Sequence, residues 1–518
     1  MNRKKLPIGI QTFREIRQDD YYYVDKTAFT RQLVNEGKHY FLSRPRRFGK
    51  SLLLDTIKEL FEGNEPLFRG LAVHDQWDWS LKYPVLRFSF GSNNFNNTTS
   101  LPDTLNTQLS HLEQHFAITR RFETAGGRFA DLIVQLHEIT HQPVIILIDE
   151  YDKPILDALA NPDIAQVNRD FLRGFYATIK DYDAHIKFSL LTGVTKFSKV
   201  SLFSGLNNLY DITLDKTYSA ICGYTDHDID TVFAHELDGL DREQIRQWYN
   251  GYNWLGIGVY NPFDILQLFR TREFRNYWFE TGTPSFLIQH LANNHFYTPD
   301  LEQLQSDSAL LSAFDIEYIS NEALLFQTGY LTIHKVEEPL LGHWLYTLGY
   351  PNHEVKSSLN ASLLGAYGVN ESLALRNRMK LISILKRNAV DELRSLFHAF
   401  FAGIPHQWYD SNKGVIAQYE GFYASVFYSH FAALGIDTIV EDSSCLGRLD
   451  MAVKFNQHIY LIEFKVIETS SEGSALPQMH SKHYADKYRM LNQPLYLIGV
   501  EFSKSTRNIT NCIVEQVH

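Results

Sequence analysis

At 518 residues the chain exceeds what one hydrophobic core accommodates, so several domains are expected. It is 44% hydrophobic and 21% charged, the composition of a folded globular protein, and no stretch approaches the ~18 consecutive apolar residues of a membrane span. Lys and Arg number 49 against 60 Asp and Glu, and the net charge of −11 excludes a protein that coats nucleic acid through overall charge. A local groove stays open, because a bound divalent cation reverses the sign of an acidic site.

The N-terminus, MNRKKLPIGIQ, is basic but lacks the apolar core of a secretory signal. Cys222, Cys445 and Cys512 lie far apart, which suits a reducing compartment and fits neither a zinc site nor a disulfide framework. A cytoplasmic protein without membrane contact is expected.

From Lys38 to about Leu214, the short apolar runs HYFLS, PVLRFSF, VIILI, IKFSLL and LYDITL alternate with longer amphipathic stretches. Such runs predict the buried strands of a parallel α/β sheet. From Tyr224 to His295 the texture turns helical and aromatic. Leu301 to Phe401 mixes helices with a hairpin near GYLTIHKV and a turn at Tyr350-Pro351-Asn352. From Asn412 a helix-like stretch leads into β-rich sequence and then αβ again. With no internal repeat or low-complexity linker, these changes of pattern divide the chain into 1–223, a helical or mixed lid and connector over 224–411, and 412–518.

HYFLS runs into Arg44-Pro45-Arg46-Arg47-Phe48-Gly49-Lys50-Ser51, followed by the helical pattern LLLDTIKELF. Strand, Gly-Lys-Ser and helix form the context of a Walker A loop, although Arg44 stands where that pattern has its first glycine. The physics tolerates the change. Backbone N–H groups from Gly49 onward cradle phosphate, Lys50 reaches the β- and γ-phosphates, and the Ser51 hydroxyl binds Mg²⁺. Arg44, Arg46 and Arg47 add positive charge where a triphosphate would sit. The alternative is an ordinary strand–turn–helix. VIILI then ends in Asp149-Glu150, the Walker B arrangement, with the Asp on Mg²⁺ and the Glu polarising the attacking water. Two matched motifs in order favour a P-loop ATPase over 1–223. IKFSLL ends at Thr192-Gly193-Val194-Thr195-Lys196, where Thr195 or Lys196 senses the γ-phosphate or the segment is a structural turn.

The C-terminal region permits a geometric argument. Arg448 to Phe455 and His458 to Val466 read as a hairpin with Asn456-Gln457 as its two-residue loop. Phe455 then faces His458 and, in the same register, Asp450 faces Glu463, with Cβ atoms roughly 5 Å apart. Lys465 shares the face of Glu463 because side chains alternate. Two carboxylates facing each other across a bare hairpin repel, and a shared divalent cation removes the conflict. A lysine beside them orients or deprotonates water, or stabilises a pentavalent phosphate. The rival is a surface hairpin with solvated charges, but the acids sit inside apolar runs such as YLIEFKVI. Upstream, Glu420 opens a helix-like stretch. It is either a third carboxylate for the metal or a first-turn acid favouring the helix dipole.

These residues, with others, resemble a bacterial family that couples an AAA-ATPase-like N-terminal region to a PD-(D/E)XK nuclease domain. The resemblance runs through YVDKT, RPRRFGKSL, LIDEYDKP, LTGVTKFSKVSLFSGLNNL, WYNGY, YNP, LLFQTGYLTI, GYPNHEV, RLD and IEFK. It covers nearly the whole chain, and the missing first Walker glycine is the family's habit. The resemblance implies Asp450 as the motif Asp, Glu463 and Lys465 as the (D/E)-x-K, Glu420 as the helical Glu, and Gln478 as the glutamine after the hairpin. Lys482 and Tyr484 match a basic, aromatic helix that follows. It implies an α/β fold: a P-loop ATPase with a parallel sheet, a helical middle, and a C-terminal α/β nuclease-like domain.

The expected ligands are ATP and Mg²⁺, with Mn²⁺ an alternative at the nuclease site. Metal would lie on Ser51 and Asp149 at one site, and on Asp450, Glu463 and Glu420 at the other. The expected partner is nucleic acid, with DNA favoured by superfamily habit. Homo-oligomerisation stays open, because P-loop ATPases often borrow a neighbour's arginine. The expected activity is ATP hydrolysis coupled to metal-dependent phosphodiester cleavage. The alternatives are a nucleotide-dependent switch whose nuclease-like domain grips without cutting, and a nuclease whose ATPase-like domain binds nucleotide without turnover.

Overall fold

The computed structural model describes residues 3–197, 208–282, 287–288, 291, 296–307, 320–402, 404, 420–443, 447–466, 475–503 and 506–517. The chain forms two compact units, Met1–Trp278 with Gln305–Pro351, and Phe279–Leu304 with Asn352–His518. The stretch 224–411 is therefore shared between both units.

In the first unit the five apolar runs become β1 (His39–Ser43), β2 (Val85–Ser89), β3 (Val144–Asp149), β4 (Ile186–Gly193) and β5 (Tyr210–Asp211). They form one sheet of order β2-β3-β4-β1-β5 in which every pairing is parallel. β1 and β3 are buried at every residue, as a sheet covered on both faces requires. Parallel neighbours need crossovers. Helices α1 (Lys50–Phe61) and α2 (Pro162–Asp181) lie on crossover segments. Phe175 of α2 stacks on Phe129 at 4.6 Å and meets Phe88 of β2 edge-on at 5.3 Å. In register, Ser43 lies beside Gly193 and Ser89 beside Asp149, so the strands end together and deliver their C-terminal residues to one edge.

Beyond this sheet, helices Asp226–Thr231, Arg242–Tyr249 and Pro262–Thr271 share an apolar cluster with Tyr22 and Val24. Thr225 starts the first of them in a reciprocal capping box with Asp228. The expected hairpin near GYLTIHKV is present as Thr332–Leu340 paired with His343–Gly349.

The second unit centres on a mixed sheet of β6 (Asp437–Ser443), β7 (Arg448–Phe455), β8 (His458–Val466), β9 (Leu495–Ser503) and β10 (Asn508–Val517). Its order is β10-β9-β8-β7-β6, and only β8 and β9 run parallel. Helix α3 (Glu420–Ala432) covers one face, where Phe427 meets Phe464 of β8 at 4.8 Å. Helix α4 (Ala475–Ser481) lies on the crossover between the parallel strands, and its Met479 joins Leu449, Leu461 and Leu497 in a second apolar layer. The mixed α/β architecture is the one expected.

Candidate functional sites

The first candidate site is the strand-end edge of the parallel sheet. Gly49 caps α1 at φ 92°, a left-handed conformation suited to glycine, and Arg47 also has a positive φ of 68°. Lys50 is buried, and its Nζ donates to the carbonyls of Arg44 and Pro45 at 2.9 Å each, so the ammonium closes the loop on itself. Burial lowers the Lys50 pKa, and Asp149 and Glu150 pull it back up. Ser51 follows, partly buried, in the first turn of α1.

Asp149 ends β3 almost fully buried, and its Oδ1 accepts from Thr192 Oγ1 at 3.0 Å. Glu150 turns the chain away at φ 53°, a conformation that side-chain-bearing residues rarely adopt. Its carboxylate lies over Gly91, where a Cβ would stand 3.4 Å from Glu150 Oε2. Burial raises the Glu150 carboxyl, and Lys50 opposes that rise. Arg46 and Arg47 are exposed on the loop, with the Arg47 guanidinium 4.9 Å from the Phe263 ring.

Arg44 does not supply charge to this edge. Its side chain is fully buried, donating to the carbonyls of Ser43, Thr213 and Tyr218 at 2.8, 2.9 and 3.1 Å and lying 4.1 Å from the Trp254 ring. It braces the loop from below. Thr195 and Lys196, expected to sense the γ-phosphate, are also engaged elsewhere. Thr195 gives its backbone N–H and its hydroxyl to Asp152 Oδ2 at 2.6 and 2.7 Å, and Lys196 pairs with Asp211. The β4 residue that touches Asp149 is Thr192. Asp152, fully buried, also accepts the Val194 N–H at 3.0 Å and so clamps the end of β4.

The second candidate site is the β7–β8 hairpin. Phe455 pairs with His458, and the register runs back to Met451 opposite Ile462. Asn456 and Gln457 both take positive φ, 47° and 61°, as a two-residue loop of the expected kind demands. One step further, Asp450 and Glu463 meet. Glu463 Oε2 lies 3.4 Å from the Asp450 backbone nitrogen, and Phe464 donates its N–H to Asp450 Oδ2 at 2.6 Å. Glu463 is fully buried, and burial, then the Asp450 charge, push its carboxyl up to about 8. Lys465 opposes that rise, its Nζ standing 3.7 Å from Glu463 Oε1.

Gln478 of α4 donates to the same Glu463 Oε1. The helix comes this close because Gly499, the partner of Glu463 on β9, has no side chain: a Cβ there would stand 2.7 Å from the Leu476 nitrogen. Tyr484 donates its hydroxyl to the Arg448 carbonyl at 2.8 Å, and Lys482 lies beside Gly447. Among the described residues no group of three or more His, Cys, Asp and Glu gathers as a metal site; Asp450 and Glu463 gather as a pair. Glu420 opens α3, and its side chain lies outside the described residues.

Residues 7–203 match the family described as predicted AAA-ATPase, and residues 418–512 match the PD-(D/E)XK nuclease superfamily. A protein of Azotobacter chroococcum mcd 1, described as an uncharacterized protein in the vnfD 5′ region, is 56% identical over 518 residues, 100% of either chain. The chain belongs to the predicted AAA-ATPases that carry a PD-(D/E)XK nuclease superfamily domain. No solved structure matches it.

Both sites of this AAA-ATPase–nuclease fusion fall within the matched segments. Three supporting residues escaped the sequence reading: Thr192, Asp152 and Gly499. The Asp152 signal was present in LIDEYDKP, one turn beyond the Walker B pair. Gly499 offered only a glycine inside the apolar run LYLIGV, a pattern that marks close approach of another backbone. Among the described residues no helix is long and apolar enough to cross a membrane.

Proposed function

We propose that the protein hydrolyses ATP at the P-loop and couples this to Mg²⁺- or Mn²⁺-dependent cleavage of phosphodiester bonds in nucleic acid, DNA rather than RNA. The observation that carries the reading is the Asp450–Glu463 pair. Two carboxylates are held together by backbone bonds, one of them fully buried, and Gln478 and Lys465 both converge on the buried one. A hairpin kept only for its stability gains nothing from that conflict.

Hard oxygen donors of this kind suit a divalent cation, which would relieve the repulsion that raises Glu463. Asp450 and Glu463 would hold it, with Glu420 assigned as a third carboxylate on the resemblance alone. When bound, such a cation neutralises phosphate charge and makes its water more acidic. Gln478 fixes the orientation of Glu463. Lys465, which is no metal ligand, brings its ammonium beside the phosphate, where it stabilises developing charge or orients water.

At the other site, Gly49, Lys50 and Ser51 would take the phosphates, with Arg46 and Arg47 at the exposed side of the loop. Lys50 would exchange its bonds to the loop carbonyls for bonds to phosphate. Ser51 and Asp149 would hold Mg²⁺, Thr192 would orient Asp149, and Glu150 would position the attacking water. The test is incubation of the full-length protein with plasmid and single-stranded DNA, with Mg²⁺ or Mn²⁺, with and without ATP. Metal-dependent cleavage that responds to ATP supports the reading. Absence of cleavage under every combination overturns it in favour of a protein that grips without cutting.

A further inference from the structure

The hairpin of Thr332–Leu340 and His343–Gly349 ends in an exposed arm. Every residue from Glu337 to Trp344 is exposed, including three large apolar ones: Leu340 at 69%, Leu341 at 95%, and Trp344. Apolar residues exposed singly need no explanation, but three at one hairpin tip form a patch that marks an interaction site. The tip holds its shape before any partner arrives. Gly342 takes a left-handed φ of 81° at the turn, and its N–H donates to Glu338 Oε1 at 2.7 Å. Glu337 and Glu338 beside the patch repel a phosphate backbone and an anionic lipid surface alike. The partner that fits is a protein surface, apolar and flanked by cations.

The chain carries such a surface itself. The helix Glu371–Arg387 buries Ala374, Leu381 and Ile384, yet its solvent side exposes Leu375 at 54% and Met379 at 61%. These two stand one turn apart, about 6 Å along the axis, with exposed Arg376 and Lys380 next to them. The helix holds five cations, Arg376, Arg378, Lys380, Lys386 and Arg387, against one acid, Glu371, in a chain of net charge −11. Among the described residues its one ion pair joins Arg387 to Glu392 at 3.0 Å, and Arg376 reaches back to the Ser372 carbonyl at 3.4 Å. This charge does not serve the nuclease-like site. Asn388, which caps the helix, bonds the Tyr460 and Tyr496 hydroxyls at 3.0 and 2.6 Å. Tyr460 lies three residues before Glu463 and therefore faces the other side of the sheet.

We propose that the protein self-associates head to tail, with the 337–344 arm of one copy lying on the Glu371–Arg387 helix of a second copy. Leu341 and Trp344 cover Leu375 and Met379, and the arm's carboxylates face the unpaired cations of the helix. The two surfaces differ, so the contact is heterologous. Its few side chains make a small interface, which suits weak association. Neither segment contributes a residue to the candidate sites, so assembly through them needs no nucleotide.

Sedimentation velocity of the full-length protein, without nucleotide or metal, tests this over about 1 to 100 µM, the range of weak contacts. The wild type is expected to pass from monomer to a larger species as concentration rises. Leu341→Glu and Met379→Glu, both at exposed positions, should keep the parental melting temperature and each weaken association at least about tenfold. Mixed in equal amounts they should regain it, because the Met379→Glu copy keeps an intact arm and the Leu341→Glu copy an intact helix. Association that survives either variant overturns the proposal, as does a mixture no better than its components. A wild type that stays monomeric throughout also overturns it, and Leu341-dependent binding to phosphatidylcholine vesicles would then assign the tip to a lipid surface.

Discussion

Glu463 turns its carboxylate toward the backbone nitrogen of Asp450, 3.4 Å away across the hairpin, while Asp450 in turn accepts the N–H of Phe464. Backbone bonds thus keep two acids together that would otherwise part. Burial first, and the Asp450 charge second, push the Glu463 carboxyl up to about 8. A carboxyl raised in this way binds its proton more tightly folded than unfolded. Its stabilising share is full below the ordinary carboxylate range and is lost as pH rises through the folded value. In EDTA, the transition of the nuclease-like unit is therefore expected to weaken from about pH 5 to about pH 8. Glu463→Gln should flatten that slope. Mg²⁺ or Mn²⁺ competes with the proton, so its stabilising effect should be largest near the alkaline end. Thermal melts across this range check both points, and an unchanged slope in Glu463→Gln would remove Glu463 as its source.

Asp450→Asn and Lys465→Ala separate metal binding from cleavage. Asp450→Asn should lose both the metal-dependent thermal gain and DNA cleavage. Lys465→Ala should keep the gain and lose cleavage by about a hundredfold or more, the scale of removing one charge-stabilising group. Melts with Mn²⁺ and plasmid nicking assays on the same preparations read the two effects. A Lys465→Ala protein that cuts at the parental rate removes Lys465 from the chemistry.

The hairpin was legible in the sequence because side chains alternate and a two-residue loop sets the register. A slip of one residue would send Asp450 and Glu463 to opposite faces. The five strands of the parallel sheet were legible as apolar runs for a similar reason. Other features depend on contacts distant in the chain. Arg44 is placed by the carbonyls of Thr213 and Tyr218, and nothing local distinguishes a buried arginine from an exposed one. Thr192 meets Asp149 because Ile148 pairs with Leu191, a matter of how β4 aligns on β3. The sharing of 224–411 between two units also has no local signature, since each unit is built from segments separated along the chain.

At the P-loop the cleanest variant is Glu150→Gln. It should retain bound ATP through gel filtration while turnover falls by about a hundredfold or more, because Asp149 and Ser51 remain. Lys50→Ala should lose turnover too, but with a second effect. The Lys50 ammonium bonds two buried loop carbonyls, and their loss of a donor should cost about 1–3 kcal/mol of stability. Melting curves beside ATPase rates distinguish these outcomes. Parental turnover in Glu150→Gln would exclude it as the group that positions water.

Thr192→Val and Thr195→Val discriminate between the residue that touches Asp149 and the one expected from sequence. Thr192→Val removes the hydroxyl that orients Asp149 and should lower ATP turnover, and because it takes a hydrogen bond from a buried carboxylate it should also cost about 1–3 kcal/mol of stability. Thr195→Val takes a hydrogen bond from the buried Asp152 carboxylate and should cost about 1–3 kcal/mol of stability. Turnover lost in folded Thr195→Val and kept in Thr192→Val would return the sensing role to Thr195.

Gly499→Ala tests how the nuclease-like site is assembled rather than what it contains. Gly499 lies beside Glu463 in the sheet and never touches a reacting group in the proposed chemistry. A Cβ at this position would stand 2.7 Å from the Leu476 backbone nitrogen, with Ala475 and Leu476 Cβ atoms at 3.2 and 3.1 Å. Backbone cannot yield as a flexible side chain does, so α4 must move outward. Gln478 rides on that helix and would leave Glu463. A misplacement of about 1 Å near a reacting centre costs up to about a hundredfold in rate, and Gly499→Ala should approach that loss. Gln478→Ala removes the same contact by another route. If the glycine acts through Gln478, the double variant should cut no more slowly than the slower of the two single variants. Independent, multiplying losses would mean that Gly499 supports the hairpin by some path other than Gln478. Metal-dependent thermal gain, measured on all three variants, adds a readout beyond activity. It should survive in each, because Asp450 and Glu463 remain in place.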